Sequence, residues 1–562
     1  MKRREFIKRS AGGITVATSM TARPQASKPD VLRIALAQAE AAIPASLAIQ
    51  AADGGFVIPA YGFAYPASTA AEVARLGAVF CNRDSKYFHD PAIAQRISQG
   101  IAYLVREQHD DGTIDLPTTN FHSPPDTGFV VEDLTQFYAL LKRDGTPVAV
   151  DLMKQAEPFI RKASSAIAGG GIHTPNHRWV ASAALAAAYA IFRDPAYLRR
   201  IDQWLAEGID CNDDGEYTEL SNGVYNRVTN RALMMIAESL DRPALLDPVR
   251  RNLSMMMYAV HPDGEVVTDY SRRQDRNTRA TMSGYYIPYR ALSVRDGNGQ
   301  YASMADWIAS QAAQGRVSLA GDLADLMLRD ELRSEKVVRA GLPTDYAREF
   351  KDSGVARIRR GDLSATVTSG SPRFFSIRSG GAVLDSVRFA SAFFGKGQFV
   401  SPKLEVAGGV YRLEQRLEGW YNQPLSQGIP NVKWSELPHR QRERSHHCTL
   451  HAVVTIREIR NGFEIDFEAV GTDRVPVVVE FLFRSEGVLQ AEGGIVEANG
   501  TSFLTSGFAR YRSGNDSLTI GPGKADHRWA NLRGGDPPVP GLVPLTLSGF
   551  TPFRHTVKVT AG

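Results

Sequence analysis

Residues 169–179 read GGGIHTPNHRW, and residues 213–226 read DDGEYTELSNGVYN. Each of these polar, aromatic-containing stretches leads into a segment with helical periodicity, at residues 179–192 and 227–239. The pattern predicts two helices whose starts carry an amide, an imidazole, a guanidinium, carboxylates and a phenol. Loop-to-helix junctions often direct such side chains at a ligand. We therefore expect the rest of the chain to act as a scaffold around residues 169–233.

The chain on either side of these stretches, from about residue 30 to residue 342, has a helical pattern. Ile93, Ile97 and Ile101 recur on one face of a helix, and Pro91 suits its first position. About ten similar segments follow one another at intervals of roughly twenty to thirty residues. This number is too high for a four-helix bundle and favours stacked helical hairpins, as in a toroid or solenoid.

From about residue 346 the pattern changes to strands. Leu363 and Val367 belong to a run in which apolar and polar residues alternate, which is typical of a half-buried strand. Asn461-Gly462 separates two alternating runs and predicts a hairpin with a type I′ turn. Helices first and strands second indicate separate domains, so the predicted fold class is α+β multidomain with an antiparallel β-sandwich at the C-terminal end.

The N-terminus is predicted to be a targeting segment. Residues 2–10 read KRREFIKRS, and a weakly apolar run with small residues follows. This resembles a bacterial twin-arginine signal, so we expect residues 1–28 to be removed and the protein to be periplasmic or secreted. The domains then span residues 29–345 and 346–562. No other stretch reaches the roughly 18 apolar residues of a membrane span, so none is expected.

Charge and cysteine content exclude further classes of protein. The net charge of +4 over 562 residues argues against a nucleic-acid-binding protein, which would carry a dense basic stripe. The three cysteines are Cys81, Cys211 and Cys448, and they are too few for a disulfide framework. One disulfide is possible, but buried free thiols are the better expectation.

The two opening stretches together resemble a known family. Asn176-His177 at one helix start and D-G-x-x-x-E-x-S-x-x-x-Y-N at residues 214–226 are similar to the heparinase II/III-like polysaccharide lyases. The resemblance implies an incomplete (α/α) toroid followed by an antiparallel β-sandwich, the order already read from the chain. It also implies β-elimination on an acidic polysaccharide or oligosaccharide, with Tyr225 as the acid. Exolytic rhamnose–glucuronate lyases share this architecture.

One departure from the family is clear. Many such lyases carry a His-Gly-His-Ala-Asp type motif early in the sandwich, and this chain has none. Residues 394–397 read FGKG in a comparable region. A second catalytic histidine would therefore come from elsewhere or not be used.

The chemistry of uronate β-elimination assigns roles to three residues. The substrate carboxylate must be neutralised, a base must remove the C5 proton, and an acid must protonate the leaving O4. Asn176 suits neutralisation, His177 suits base or carboxylate partner, and Tyr225 suits acid or base. One tyrosine can do both jobs on glucuronate, whose H5 and O4 lie on the same side, whereas iduronate needs a separate base. We predict these three residues as catalytic and a glucuronate-containing glycan as substrate.

Other side chains in the same loops are candidates for binding the sugar, because arginines bind carboxylates bidentately and aromatic rings stack. The candidates are Asn120, His122, Arg178, Trp179, Glu216, Glu219, Arg272, Arg273 and Trp420. Tyr285 and Tyr286 are further possible stacking platforms. An ordinary role in capping, packing or solvation is the alternative for each.

No cofactor is required by this chemistry. His446, His447, Cys448 and His451 supply too few ligands for a tetrahedral zinc site, although a divalent metal stays an alternative. The sequence contains no P-loop, nucleophile elbow or dinucleotide-binding fingerprint.

Two other functions stay open. A toroidal glycoside hydrolase would use paired carboxylates, Glu216 or Glu219 together with Asp126. A non-catalytic glycan-binding protein would keep the aromatic and arginine side chains without acid–base chemistry. The glycan, endo or exo action and the oligomeric state are not predicted.

Overall fold

The computed structural model describes residues 29–491, 494–498 and 500–562. The predicted signal segment, residues 1–28, lies outside the described residues. Helical structure extends to Arg333, and the first strand of the large sheets begins at Asp345.

Twelve α-helices occupy the first part of the described chain. They are α1 (Val31–Ala48), α2 (Pro66–Cys81), α3 (Pro91–Glu107), α4 (Pro124–Asp144), α5 (Pro147–Gly169), α6 (Pro175–Phe192), α7 (Pro195–Ala206), α8 (Tyr225–Ser239), α9 (Leu246–Met256), α10 (Tyr286–Asp296), α11 (Gly299–Ala313) and α12 (Leu323–Leu328). The predicted start of α3 is confirmed, since Asp90 accepts a hydrogen bond from the backbone NH of Ala92 at 2.7 Å. Helix α10 is buried on nearly all sides and has no amphipathic period.

Alternate helices α2, α4, α6 and α8 pack side by side and point the same way. Beyond the C-terminal end of α2, His89 Nε2 lies 2.7 Å from Asp144 Oδ2 at the end of α4. Before α6, a Cβ added to Gly170 would lie 2.4 Å from Pro124 at the start of α4. The N-terminal ends of these helices therefore gather at one end of the helical domain. Their free NH groups and dipoles make that end favourable for an anion.

Helix α1 is long and apolar enough, by length and composition, to cross a membrane. In the fold α1 contacts α2, α11 and α12, and its residues Ala35, Ala39 and Ile43 are buried. Packing within the helical domain accounts for this apolar face.

Two small hairpins belong to the helical domain. They are β1 (Val57–Ile58) with β2 (Phe63–Ala64), and β3 (Ile114–Leu116) with β4 (Asn120–Ser123). The remaining strands are β5 (Asp345–Phe350), β6 (Val355–Arg360), β7 (Leu363–Thr368), β8 (Phe375–Ser379), β9 (Ala382–Ser391), β10 (Leu404–Ala407), β11 (Val410–Asn422), β12 (Arg444–Ile459), β13 (Gly462–Gly471), β14 (Pro476–Arg484), β15 (Val488–Ala491), β16 (Ile495–Ala498), β17 (Thr501–Leu504), β18 (Ala509–Ser513), β19 (Asp516–Gly521), β20 (Leu542–Phe550) and β21 (Phe553–Ala561).

These later strands form two large sheets. One has the order β16-β17-β20-β14-β9-β8-β7-β6-β5 and the other β10-β11-β12-β13-β21-β19-β18-β15. Neighbours are antiparallel except β17 and β20, which run parallel. Aromatic pairs such as Phe389–Phe467 join the sheets across the core, with ring centroids 5.6 Å apart. The predicted fold class, a helical toroid followed by a β-sandwich, is confirmed.

The predicted hairpin around residue 461 is confirmed, but its turn type was wrong. Ile459 pairs with Gly462, so Arg460 and Asn461 form the two-residue loop. Only Asn461 of these two has a positive φ, 57°, whereas a type I′ turn needs two. Gly462 instead begins β13, where a Cβ would lie 2.1 Å from the Val559 carbonyl oxygen. The glycine is required by close strand packing.

Trp420 lies in β11, just before a long connection between two strands. Strands β11 and β12 pair as far as Asn422 and Arg444, which leaves residues 423–443 as the connection. Cys81, Cys211 and Cys448 are all free thiols and partly buried, so the one disulfide considered does not form.

Candidate active site

Asn176 lies in the first turn of α6, at the anion-favouring end of the helical domain. Thr174 occupies the N-cap position, so Asn176 does not cap the helix. Thr174 Oγ1 donates to Asn176 Oδ1 at 2.9 Å, which fixes the orientation of the amide. Asn176 is buried, and its Nδ2 has no hydrogen-bond partner among the described residues. A buried, unused donor of this kind is suited to an anionic ligand group.

His177 follows on the same turn and is also buried. Its ring packs edge-on against His173, with centroids 4.8 Å apart. Burial, and then the neighbouring His173, lower the pKa of His177 to about 4. The Nδ1 atom has no partner within the described chain. The imidazole is therefore neutral at neutral pH and able to accept a proton.

Tyr225 is the first residue of α8 and is half-buried. Gln274 Nε2 donates to its hydroxyl oxygen at 2.8 Å, and Arg273 Nη2 donates to the same oxygen at 3.3 Å. The Arg273 guanidinium also lies over the tyrosine ring, 4.6 Å from its centroid. A cation and an amide thus surround the phenolic oxygen, an arrangement that stabilises negative charge on it.

Glu219 joins these groups into one network. One of its carboxylate oxygens lies 2.9 Å from Arg273 Nη1, and the other accepts a hydrogen bond from the Asn176 backbone NH at 3.3 Å. The carboxylate is buried, with the side chain 3% exposed. The structure therefore brings Asn176, Glu219, Arg273 and Tyr225 together, although they come from three separate segments of the chain.

Asp126 borders the same site from the first turn of α4. It is buried and accepts hydrogen bonds from Asn120 Nδ2 at 2.7 Å and Ser123 Oγ at 2.5 Å. The negative charge of Asp126 raises the pKa of His177 and so partly opposes the lowering caused by burial. Asn120, predicted to bind sugar, therefore lies beside the site and positions this carboxylate.

Glu216 is enclosed in a separate internal network, so its predicted substrate-binding role is corrected. Asn226 Nδ2 donates to one carboxylate oxygen at 2.7 Å, and the Tyr270 hydroxyl contacts the other at 3.2 Å. Burial raises the pKa of Glu216 to about 7. Because Asn226 is the neighbour of Tyr225 on α8, Glu216 supports the start of that helix.

Arg178 and Trp179 point away from the cluster. Arg178 Nη2 lies 2.8 Å from Asp210 Oδ1, and the Trp179 indole NH donates to the same atom at 3.2 Å. Trp179 and Tyr285 are fully buried, and Tyr286 is 4% exposed. The stacking and substrate-binding roles considered for these aromatic residues are therefore replaced by core packing.

The remaining predicted residues lie outside the cluster. His122 is exposed, with Nδ1 2.7 Å from Asp111 Oδ2, and its ring stacks on His109. Arg272 is exposed next to the cluster residue Arg273. Trp420 lies on the sandwich, where the Arg444 guanidinium covers its ring at 3.8 Å.

Sequence reasoning missed the role of Gln274 and took Arg273 for a carboxylate ligand only. Nothing in the local pattern of residues 270–276 indicates that the two side chains meet a tyrosine almost fifty residues earlier. Among the described residues, no group of three or more histidine, cysteine, aspartate or glutamate side chains is arranged to hold a metal ion.

The architecture and this cluster define a toroid-plus-sandwich protein with a polar site at the gathered N-terminal ends of the toroid helices. Neither a protein-family model nor a curated protein sequence matches the chain.

Solved structures do match the fold. Heparinase III is 11% identical, with a TM-score of 0.53, over 88% of this chain and 75% of that one. A Streptomyces coelicolor A3 chondroitin AC lyase, solved with chondroitin sulphate, is 15% identical, with a TM-score of 0.53, over 96% and 80%. A Paenibacillus xanthan lyase is 10% identical, with a TM-score of 0.56, over 94% and 56%. The expected resemblance to toroidal polysaccharide lyases is thereby confirmed at the level of the fold.

Proposed function

We propose that this protein is a polysaccharide lyase that cleaves a glucuronate-containing glycan by β-elimination and leaves an unsaturated uronate end. One observation carries the proposal. The buried, unpartnered amide of Asn176 stands beside the neutral His177, and Glu219 connects this pair to the Tyr225–Arg273 contact. The fold shared with solved lyases supports it.

Asn176 is placed to neutralise the uronate carboxylate. Its free Nδ2 offers a hydrogen bond, and the N-terminal end of α6 adds a favourable dipole. As the C5 proton leaves, negative charge builds up on the carboxylate, so a preorganised donor stabilises the transition state more than the ground state. The amide bears no charge, and burial and the neighbouring His173 keep the imidazole of His177 neutral as well.

Tyr225 is the group we assign to proton transfer at C5 and O4. Arg273 and Gln274 both donate to its oxygen, so a phenolate formed during the reaction is stabilised. On glucuronate H5 and O4 lie on one face, so a Tyr225 phenolate can take the C5 proton and the phenol so formed can deliver it to O4. His177 is then the partner of the carboxylate, or the base for an epimer with the opposite C5 geometry.

The hydrolase alternative is less well supported by the geometry. It requires two carboxyl groups that face the scissile bond across a substrate. Glu216 is enclosed by Asn226 and Tyr270, and Glu219 is paired with Arg273. The third carboxylate considered, Asp126, accepts hydrogen bonds from Asn120 and Ser123.

Export through the twin-arginine route is part of the proposal and rests on residues 2–10 alone. A fusion of residues 1–28 to a reporter that folds before export should reach the periplasm. Replacing Arg3 and Arg4 by lysine should retain the reporter in the cytoplasm; export of both versions would contradict this part of the proposal.

The decisive experiment is an ultraviolet assay for the conjugated double bond of the unsaturated product. The purified protein is incubated with a panel of uronate-containing polysaccharides, and reducing ends are measured in parallel. Absorbance and reducing ends rising together support a lyase. Reducing ends without absorbance would indicate a hydrolase, and neither readout on any polymer that the protein binds would indicate a binding protein.

A further inference from the structure

A short hairpin beside the candidate site carries three aromatic residues that have no role in the cluster described above. Tyr61 lies in the turn between β1 and β2, Phe63 begins β2, and Tyr65 directly precedes α2. The ring centroids of Tyr61 and Phe63 lie 6.0 Å apart, and those of Phe63 and Tyr65 lie 6.3 Å apart. We call these three residues the aromatic row.

The aromatic row is open to solvent. Tyr61 is 52% exposed and Phe63 is 41% exposed. Single exposed aromatic residues need no explanation, but contiguous exposed apolar surface marks a site for a ligand or partner. The row contains no charged side chain, so its chemistry suits an apolar ring face rather than a carboxylate.

The aromatic row begins at the candidate active site. Tyr65 is the N-cap residue of α2, whose N-terminal end lies beside that of α4. Burial, then Tyr61 and then the Asp126 carboxylate raise the pKa of Tyr65. Asp126 also acts on His177. Asp126 is thus near both Tyr65 and His177, so the aromatic row extends outward from the catalytic cluster.

We propose that the aromatic row forms glycan subsites, on which successive sugar rings of the substrate stack by their apolar C–H faces. The occupant is the same acidic polysaccharide chain whose uronate carboxylate lies at Asn176, because the row is continuous with that site. This inference rests on the proposed function and deepens it. The preferred substrate is a polymer or long oligosaccharide, bound over several sugars on the side of the row.

The first test compares long and short substrates. Phe63→Ala should raise KM for the polymer about two- to tenfold, the range of one aromatic stacking contact, and leave its kcat unchanged. The same variant should cleave the shortest accepted oligosaccharide like the wild type. Phe508→Ala is the matched control, since Phe508 is also 41% exposed but lies on the sandwich. Equal KM values for Phe63→Ala and Phe508→Ala on the polymer would overturn the inference while leaving the lyase proposal intact.

The second test measures binding without catalysis. Native gels containing xanthan, chondroitin sulphate or heparan sulphate should retard the wild type in at least one polymer, and Tyr61→Ala/Phe63→Ala should lose that retardation. If this occurs although no ultraviolet product forms, the subsites stand and the lyase proposal fails. Retardation equal in wild type and double variant, or absent from all three gels, would overturn the inference. A double variant that only turns a dimer into a monomer in size-exclusion chromatography would assign the row to a second copy of the chain instead.

Discussion

The guanidinium of Arg273 lies 4.6 Å above the ring of Tyr225 and donates to its hydroxyl oxygen at 3.3 Å. The same guanidinium holds the Glu219 carboxylate at 2.9 Å, and that carboxylate accepts the Asn176 backbone NH. One arginine thus ties the proposed proton-transfer group to the proposed carboxylate-binding group. This relationship makes the site testable residue by residue.

Removing the Tyr225 hydroxyl should abolish turnover. Tyr225→Phe takes away the proton-transfer atom, so kcat should fall by at least about 10²-fold, while the melting temperature and polymer binding stay close to wild type. Tyr421→Phe, at an exposed position on the sandwich, is the control and should be fully active. A Tyr225→Phe rate within threefold of the wild type would refute the assignment.

Replacing Asn176 should slow the chemical step and leave the fold intact. Asn176→Ala removes a donor aimed at developing charge, so kcat should fall roughly 10²- to 10³-fold. Asn176→Asp should be at least as damaging, because a second negative charge faces the uronate. In Asn176→Ala, thermal stability should fall only by about 1 kcal/mol, since Nδ2 has no internal partner and the one side-chain hydrogen bond lost is that from Thr174 to Oδ1. A change in KM alone would instead assign Asn176 to ground-state binding.

Arg273 and its neighbour Arg272 should behave differently. Arg273→Ala removes a charged hydrogen-bond donor from the Tyr225 oxygen, so kcat should fall roughly ten- to hundredfold. Arg272 is exposed, so Arg272→Ala should alter KM at most and preserve kcat. Steady-state kinetics on one polymer separate the two effects. Equal kcat values in both variants would remove Arg273 from the mechanism.

Acid should destabilise the protein partly through His177. Its pKa is about 4 in the folded state and near 6.5 when unfolded, so the unfolded state binds the proton more tightly. Stability is therefore full above about pH 6.5 and is lost as the pH falls towards 4, by up to about 3 kcal/mol. His177→Gln should lose less stability than the wild type over this window in denaturant titrations. Parallel curves would show that His177 does not titrate in this way.

Glu216 should act in the opposite direction. Its pKa is about 7 when folded and near 4.5 when unfolded, so the folded state holds the proton more tightly. Its contribution is full below about pH 4.5 and is lost as the pH rises to 7. Glu216→Gln keeps the side chain neutral, so it should flatten this part of the stability profile and retain lyase activity. Loss of activity in a folded Glu216→Gln variant would revive the hydrolase alternative.

Much of the fold could be predicted because each block of the sequence has its own period. Ile93, Ile97 and Ile101 give a helical face, and Leu363 and Val367 belong to a strand pattern. The helical face is buried as expected, whereas β7 is buried on both faces and not on one only. The turn type at Asn461 was predicted wrongly because Gly462 is required by its close contact with Val559, which lies about a hundred residues away in the sequence.

The sequence by itself determined the order of helical and strand domains and placed Asn176, His177 and Tyr225 at helix starts, since periodicity and capping are local properties. Only the tertiary structure decided which polar residues face one another. In the fold, Arg273 and Gln274 donate hydrogen bonds to the Tyr225 hydroxyl. Glu216 is enclosed in an internal network, and the ring of Trp179 is buried. These contacts form because parallel helices bring loops that are distant in sequence to one end of the toroid. No local sequence pattern encodes such contacts.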